Sequence, residues 1–127
     1  MPYKFSKRSL NNLEEVHPDL QAVMHKALKY TCIDFVVTEG IRTVNEQSVL
    51  YEAGATRTMN SRHLTGHAVD IAAWVGRGIR WDWPLYKTIS EAVKTAAREL
   101  GVDIVWGGDW KTFKDGPHYE LSRKSYP

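Results

Sequence analysis

The chain contains a single cysteine, Cys32, so it can form neither an internal disulfide nor a multi-cysteine zinc site. A lone cysteine is most simply a small buried residue, and that is the expectation for Cys32. No window approaches the ~20 consecutive apolar residues that span a bilayer, which excludes membrane insertion as a reading. The N-terminal run MPYKFSKRSL lacks the apolar stretch of a signal peptide, so a cytoplasmic product is expected. Neither sign of charge dominates: 17 Lys and Arg against 15 Asp and Glu leave a formal net charge of +2. The basic residues are scattered, with no recognition helix or stacking motif, so a nucleic-acid partner is not expected. Repeats, linkers and low-complexity tracts are also missing. A chain of 127 residues, 43% hydrophobic and 25% charged, fits one globular domain over 1–127.

What is present is a succession of well-punctuated elements. Leu10, Leu13 and Val16 share a helical face, with Ser9 as a candidate cap. Pro18 opens a second helical segment that carries Leu20, Val23, Met24 and Leu28 on one side. IDFVVTEGI is rich in β-branched residues and predicts a strand ending near Gly40. TVNEQSVLYEAG predicts a short helix, with Thr43 and Glu46 spaced as a capping box and Gly54 at its end. HAVDIAAW predicts a strand, VGRGIRWDW a turn-rich connection, and PLYKTISEAVKTAAREL a helix stopped by Gly101. VDIVW and HYEL predict two further strands around the loop GGDWKTFKDGP. Helices first, then strands with one helix between them, predict an α+β domain: a small, mostly antiparallel sheet with helices on one side.

The chemistry concentrates in SRHLTGHAVDIAAW, residues 61–74. His63 and His67 are four apart, as on a zinc-binding helix, but Leu64 stands where such a helix carries glutamate, and Gly66 interrupts the turn. The strand reading is better. In AVDIA, Ala68, Asp70 and Ala72 share one face and Val69 and Ile71 the other, so Asp70 stands in open space between two alanines. An aspartate at strand centre needs a strong partner, because burying an unpaired charge is costly. His63 lies an odd number of residues away and reaches the same point only through a turn, which Gly66 permits. Catalytic zinc takes three protein ligands and a water. His17, His25, His67 and His118 are the candidates for the third, and His118 is the best of them. It begins the HYEL strand just after the turn KDGP, which folds Asp115 back beside it. Two histidines and one aspartate on the metal, with a second carboxylate nearby, suit metal-assisted hydrolysis, in which the free carboxylate accepts the proton of the attacking water.

These residues carry a resemblance. SRHLTGHAVD resembles the SxHxxGxAxD signature of the LAS-type zinc peptidases, the group related to D-alanyl-D-alanine carboxypeptidases and dipeptidases. DGPHYE resembles their second motif, with an acidic residue three before the last zinc-binding histidine. The likeness extends to EGIRTVNEQSVLYEAG and WGGDW, and is greatest to the phage L-alanyl-D-glutamate endopeptidase endolysins. The resemblance implies a hedgehog/DD-peptidase-like fold and a Zn2+ ion held by His63, Asp70 and His118. It implies Asp115 as general base, where many relatives have glutamate, and Arg42 as the arginine that faces substrate or the developing oxyanion. The implied substrate is the stem peptide of bacterial peptidoglycan, cut at the L-alanyl-D-glutamate bond. The implied enzyme is a monomer without a separate wall-binding module, held in the host cytoplasm until the membrane is permeabilised. Two rivals share the zinc residues: a D-alanyl-D-alanine carboxypeptidase or dipeptidase, and a non-catalytic zinc-stabilised binding module, against which Asp115 argues. The short segment between Arg42 and His63 predicts an open groove, which favours an endopeptidase. His67 fits a pocket-lining or an exposed position, Glu120 an imidazole acceptor or a solvated edge, and Trp106 and Trp110 a groove wall or the core. His17 and His25 are read as unrelated to the site.

Overall fold

The structure, a computed structural model, describes residues 3–55 and 61–127. Helices α1 (Lys7–Leu13) and α2 (Pro18–Tyr30) lead into strand β1 (Asp34–Glu39) and helix α3 (Val44–Glu52). Strands β2 (Ala68–Val75) and β3 (Gly78–Arg80) form a hairpin, followed by helix α4 (Trp83–Leu100) and strands β4 (Ile104–Trp106) and β5 (His118–Leu121). The sheet runs β1-β2-β5-β4 with β3 beside the far end of β2, and every pairing is antiparallel. This is the expected α+β architecture.

The helices start and stop where local chemistry dictates. Pro18 occupies the first turn of α2, and His17 Nδ1 accepts the free backbone N–H of Asp19. Leu20, Val23, Met24, Ala27 and Leu28 form one buried stripe on α2, packed against the stripe of Ile89, Val93, Ala96 and Ala97 on α4. Thr43 and Glu46 form the expected capping box at α3.

Three expectations need correction. The cap of α1 is Ser6, whose hydroxyl accepts the Ser9 N–H at 3.2 Å; Ser9 itself is buried and accepts the Val37 N–H at 3.0 Å. With Asn12 Nδ2 donating to Val37 O at 2.8 Å, Ser9 satisfies the outer edge of β1 in place of another strand. VGRGIRWDW contains β3, because Trp74, Val75 and Gly78–Arg80 pair across the Gly76–Arg77 turn. Cys32 is exposed, since it lies between Thr31, which ends α2, and the start of β1.

Strand alternation divides the sheet into two faces. Val69, Ile71 and Ala73 of β2, Phe35 and Val37 of β1, and Tyr119 and Leu121 of β5 enter the core beneath the helices. Asp70, His118 and Glu120 occupy the opposite face.

Candidate metal centre

Asp70 and His118 are direct cross-strand partners in the β2–β5 ladder, so the backbone register alone places their side chains together. His63 arrives by a separate route. The 3-10 turn Arg62–Thr65 begins at Ser61, whose hydroxyl accepts the His63 N–H at 3.2 Å, and ends at Gly66 with φ +75°. Gly66 O accepts the His17 N–H at 2.8 Å, and a Cβ on Gly66 would lie 2.9 Å from Glu15 O, so the turn is pressed against the α1–α2 junction. The left-handed residue reverses the chain and brings His63 over β2, as the odd spacing requires.

The three side chains offer ligand atoms that all lie within 4.8 Å of one another. His63 Nε2 is 3.3 Å and His118 Nδ1 3.1 Å from Asp70 Oδ1. Ligands about 2.05 Å from a tetrahedral zinc ion stand about 3.3 Å apart, so these separations fit zinc. The imidazoles fit as well. His63 Nδ1 lies 2.8 Å from Gly40 O, which only accepts, so that nitrogen carries the proton and the Nε2 lone pair is available. His63 Nε2 is buried and makes no hydrogen bond, an orphan that a metal ion would satisfy. His118 Nε2 is held at 2.8 Å by Glu120 Oε1, which aims Nδ1 at Asp70 Oδ1, where a metal ion would take the place of the Nδ1 proton.

The charges respond to this packing. Burial alone would raise the Asp70 carboxyl, but the adjacent His118 and His63 imidazoles outweigh it and hold the group well below the usual carboxylate range. Burial would lower His118, yet Asp70 and Glu120 together push it up to about 9. The Asp115 carboxyl is raised, first by burial and then by the negative charge of Asp70.

Asp115 reaches the site through a tight loop closure. Its N–H donates to Gly107 O at 3.0 Å, and its carbonyl accepts the His118 N–H at 3.2 Å. A Cβ on Gly107 would lie 2.3 Å from Asp115 O and 3.1 Å from the His118 Cβ, so only glycine lets the loop approach this closely. Asp115, Arg42 and the three ligand residues line one cleft of about 650 Å³. Arg42 is buried, with Nε and Nη2 on the two Glu39 oxygens at 2.6 and 2.8 Å, Nη1 on Gln47, and Nη2 3.9 Å from Asp70 Oδ2. This lock on Arg42 was not visible in the sequence, because no spacing within EGIRTVNEQSVLYEAG pairs Arg42 with Glu39 and Gln47, which meet it only once β1 and α3 are folded.

The open alternatives divide. Trp110 lines the cleft with its ring 5.1 Å from His118, whereas Trp106 is buried, donates to Gly116 O and stacks between Trp83 and Tyr119. Glu120 is the imidazole acceptor. His67 is half-buried against His17, 5.6 Å between ring centroids, and is not among the residues lining the cleft. His25 packs on Phe5. The expectation of an open groove falls partly on residues 56–60, outside the described residues.

The sheet has the LAS-type peptidase fold, and it gathers two histidines and an aspartate in one cleft with a further carboxylate, a site able to hold a metal ion. The same fold is seen in the vancomycin-resistance D,D-dipeptidase VanXYg, at a TM-score of 0.57 over 84% of this chain and 50% of that one; at 19% identity the likeness is one of fold alone. The chain belongs to the phage L-alanyl-D-glutamate peptidase family, which matches residues 1–126. It is 36% identical to the L-alanyl-D-glutamate peptidase of Escherichia phage T5, over 99% of this chain and 94% of that protein. The crystal structure of the Serratia marcescens L-Ala D-Glu endopeptidase ChiX superposes with a TM-score of 0.94 at 47% identity, covering 99% of this chain and 95% of that one.

Proposed function

We propose that this L-alanyl-D-glutamate endopeptidase of peptidoglycan works with zinc held by His63, Asp70 and His118, with Asp115 as general base and Arg42 as the anion-facing group. The observation that carries the metal assignment is the trio of ligand atoms within 4.8 Å, with the His63 tautomer fixed by Gly40 O and the His118 ring oriented by Glu120. A bound zinc ion lowers the pKa of water to roughly 7 and polarises a carbonyl. Asp115 takes the proton from the attacking water and delivers it to the leaving amine; its raised proton affinity suits a group that must hold the proton between those events. Arg42, fixed by Glu39 and Gln47, presents positive charge to a substrate carboxylate or to the developing oxyanion without having to reorganise. Glu120 keeps the His118 ring in its working orientation.

Residues 1–127 act as one catalytic domain that binds the wall directly, as a monomer. Among the described residues no helix is long and apolar enough to cross a membrane. The protein waits in the host cytoplasm and meets its substrate once the membrane is permeabilised. The test is the mass of the products from a peptidoglycan stem tetrapeptide still attached to its sugar. L-alanine left on the sugar with a new N-terminal D-glutamate supports the reading. Release of D-alanine alone overturns it in favour of a carboxypeptidase.

A further inference from the structure

On the face of the sheet that carries the metal site, β2 continues from Asp70 past Ala72 to Trp74. Four strand residues span about 13 Å. Trp74 pairs with Asp34 of β1 on one side and Ile79 of β3 on the other, so the three side chains form a row across the sheet. Trp74 and Ile79 are 38% and 37% exposed. A groove of about 420 Å³ follows this row, with Ser6, Thr38, Lys4 and Arg8 also in its walls. A second hollow of about 370 Å³ opens beside Trp74 and again includes Asp34. The groove meets the catalytic cleft at consecutive residues: Thr38 lines the groove and donates to Asp70 O at 3.3 Å, and Glu39 lines the cleft.

We propose that this groove holds the glycan strand of peptidoglycan, so that the stem peptide runs from the Trp74 row to the His63–Asp70–His118 centre. The proposal rests on the L-alanyl-D-glutamate cut argued above. In that substrate the alanine is joined to the lactyl group of the sugar, which leaves the scissile bond only about two residue lengths, roughly 7 Å, from the glycan. The strand must therefore pass close to the centre, and the Trp74 row, about 13 Å along β2 from Asp70, lies within reach of a neighbouring sugar. The chemistry of the groove matches a sugar. An indole face takes the apolar side of a pyranose ring, while a carboxylate and hydroxyls bind its hydroxyl and acetamido groups. An anionic lipid surface would instead favour cations alone around the tryptophan, whereas Asp34 stands next to it.

The experiment compares wild type with Trp74→Ala and Ile79→Ser, both at exposed positions, after melting temperatures show that the variants fold. Three substrates or ligands are used: intact peptidoglycan, a sugar-free tetrapeptide containing the L-alanyl-D-glutamate bond, and peptide-free glycan strands read by tryptophan fluorescence. Expected is a fall of about tenfold on intact peptidoglycan for Trp74→Ala, the size of one lost aromatic stack. Ile79→Ser should fall in the same direction, the sugar-free peptide should be cut at an unchanged rate, and glycan strands should perturb the fluorescence of wild type but not of Trp74→Ala. An equal fall on both substrates, an unchanged rate on intact peptidoglycan, or Trp74-dependent binding of phosphatidylglycerol vesicles without glycan binding would overturn the proposal. Failure of the bond assignment shows separately, because glycan binding is read without cleavage.

Discussion

The two faces of β2 put one backbone to opposite uses. Val69, Ile71 and Ala73 are fully buried beneath α2 and α4, whereas Asp70, between them in sequence, keeps its side chain 21% exposed among charged groups. The inner face is apolar and packs closely; the outer face collects His63, His118, Glu120 and Asp115. The inner face fixes the outer one. A slip of one residue between β2 and β5 would drive Asp70 into the core and Ile71 into the cleft, so apolar burial holds the register that pairs Asp70 with His118. Stability and chemistry are thus separable by substitution.

The largest effect belongs to the outer face. His63→Ala or His118→Ala should leave the fold intact, reduce bound zinc from about one per chain to near none, and abolish hydrolysis. Metal analysis beside a thermal melt checks this; full zinc occupancy in either variant would break the ligand assignment. On the inner face, Ile71→Ala should cost about 2–5 kcal/mol of stability while zinc stoichiometry is kept, as read by chemical denaturation with metal analysis. Loss of zinc at unchanged stability would erase the distinction between the faces.

Smaller effects sharpen the comparison within the outer face. Glu120→Gln loosens the grip on His118 and should weaken zinc affinity by about 10–100-fold, measured by competition with a chelator. A further effect within the outer face is on pH dependence. His118 rises from 6.5 to about 9 on folding, so its protonated contacts with Asp70 and Glu120 stabilise the metal-free protein fully below 6.5 and are lost as pH rises through about 9. Melts in chelator should therefore decline across that window. Melts with zinc should not, because the metal displaces the proton.

Much of this was legible in the sequence, for physical reasons that can be named. The alternation in AVDIA separates the faces, the odd spacing of His63 from Asp70 demands a reversal, and Gly66 supplies it with φ +75°. KDGPH is short enough that Asp115 and His118 must lie in one turn. What the sequence hid depends on contacts between distant elements. Ser9 has cap chemistry, but the open edge of β1 claims its hydroxyl. Trp106 and Trp110 flank the same GGD, yet one enters the core and the other the cleft, because the 3-10 turn at Gly107–Asp109 sets them on different sides. The Glu39–Arg42–Gln47 lock and the short strand β3 likewise exist only after β1, β2 and α3 have met.

The central claim is that the outer face separates metal binding from proton transfer, the first by His63, Asp70 and His118 and the second by Asp115. The direct measurement is zinc content and turnover of Asp115→Asn on the same preparation, against wild type. Zinc at about one per chain with turnover reduced on the order of a hundredfold or more is the predicted result. Loss of zinc together with turnover would make Asp115 a ligand, and unchanged turnover would remove it from the reaction; either result contradicts the account.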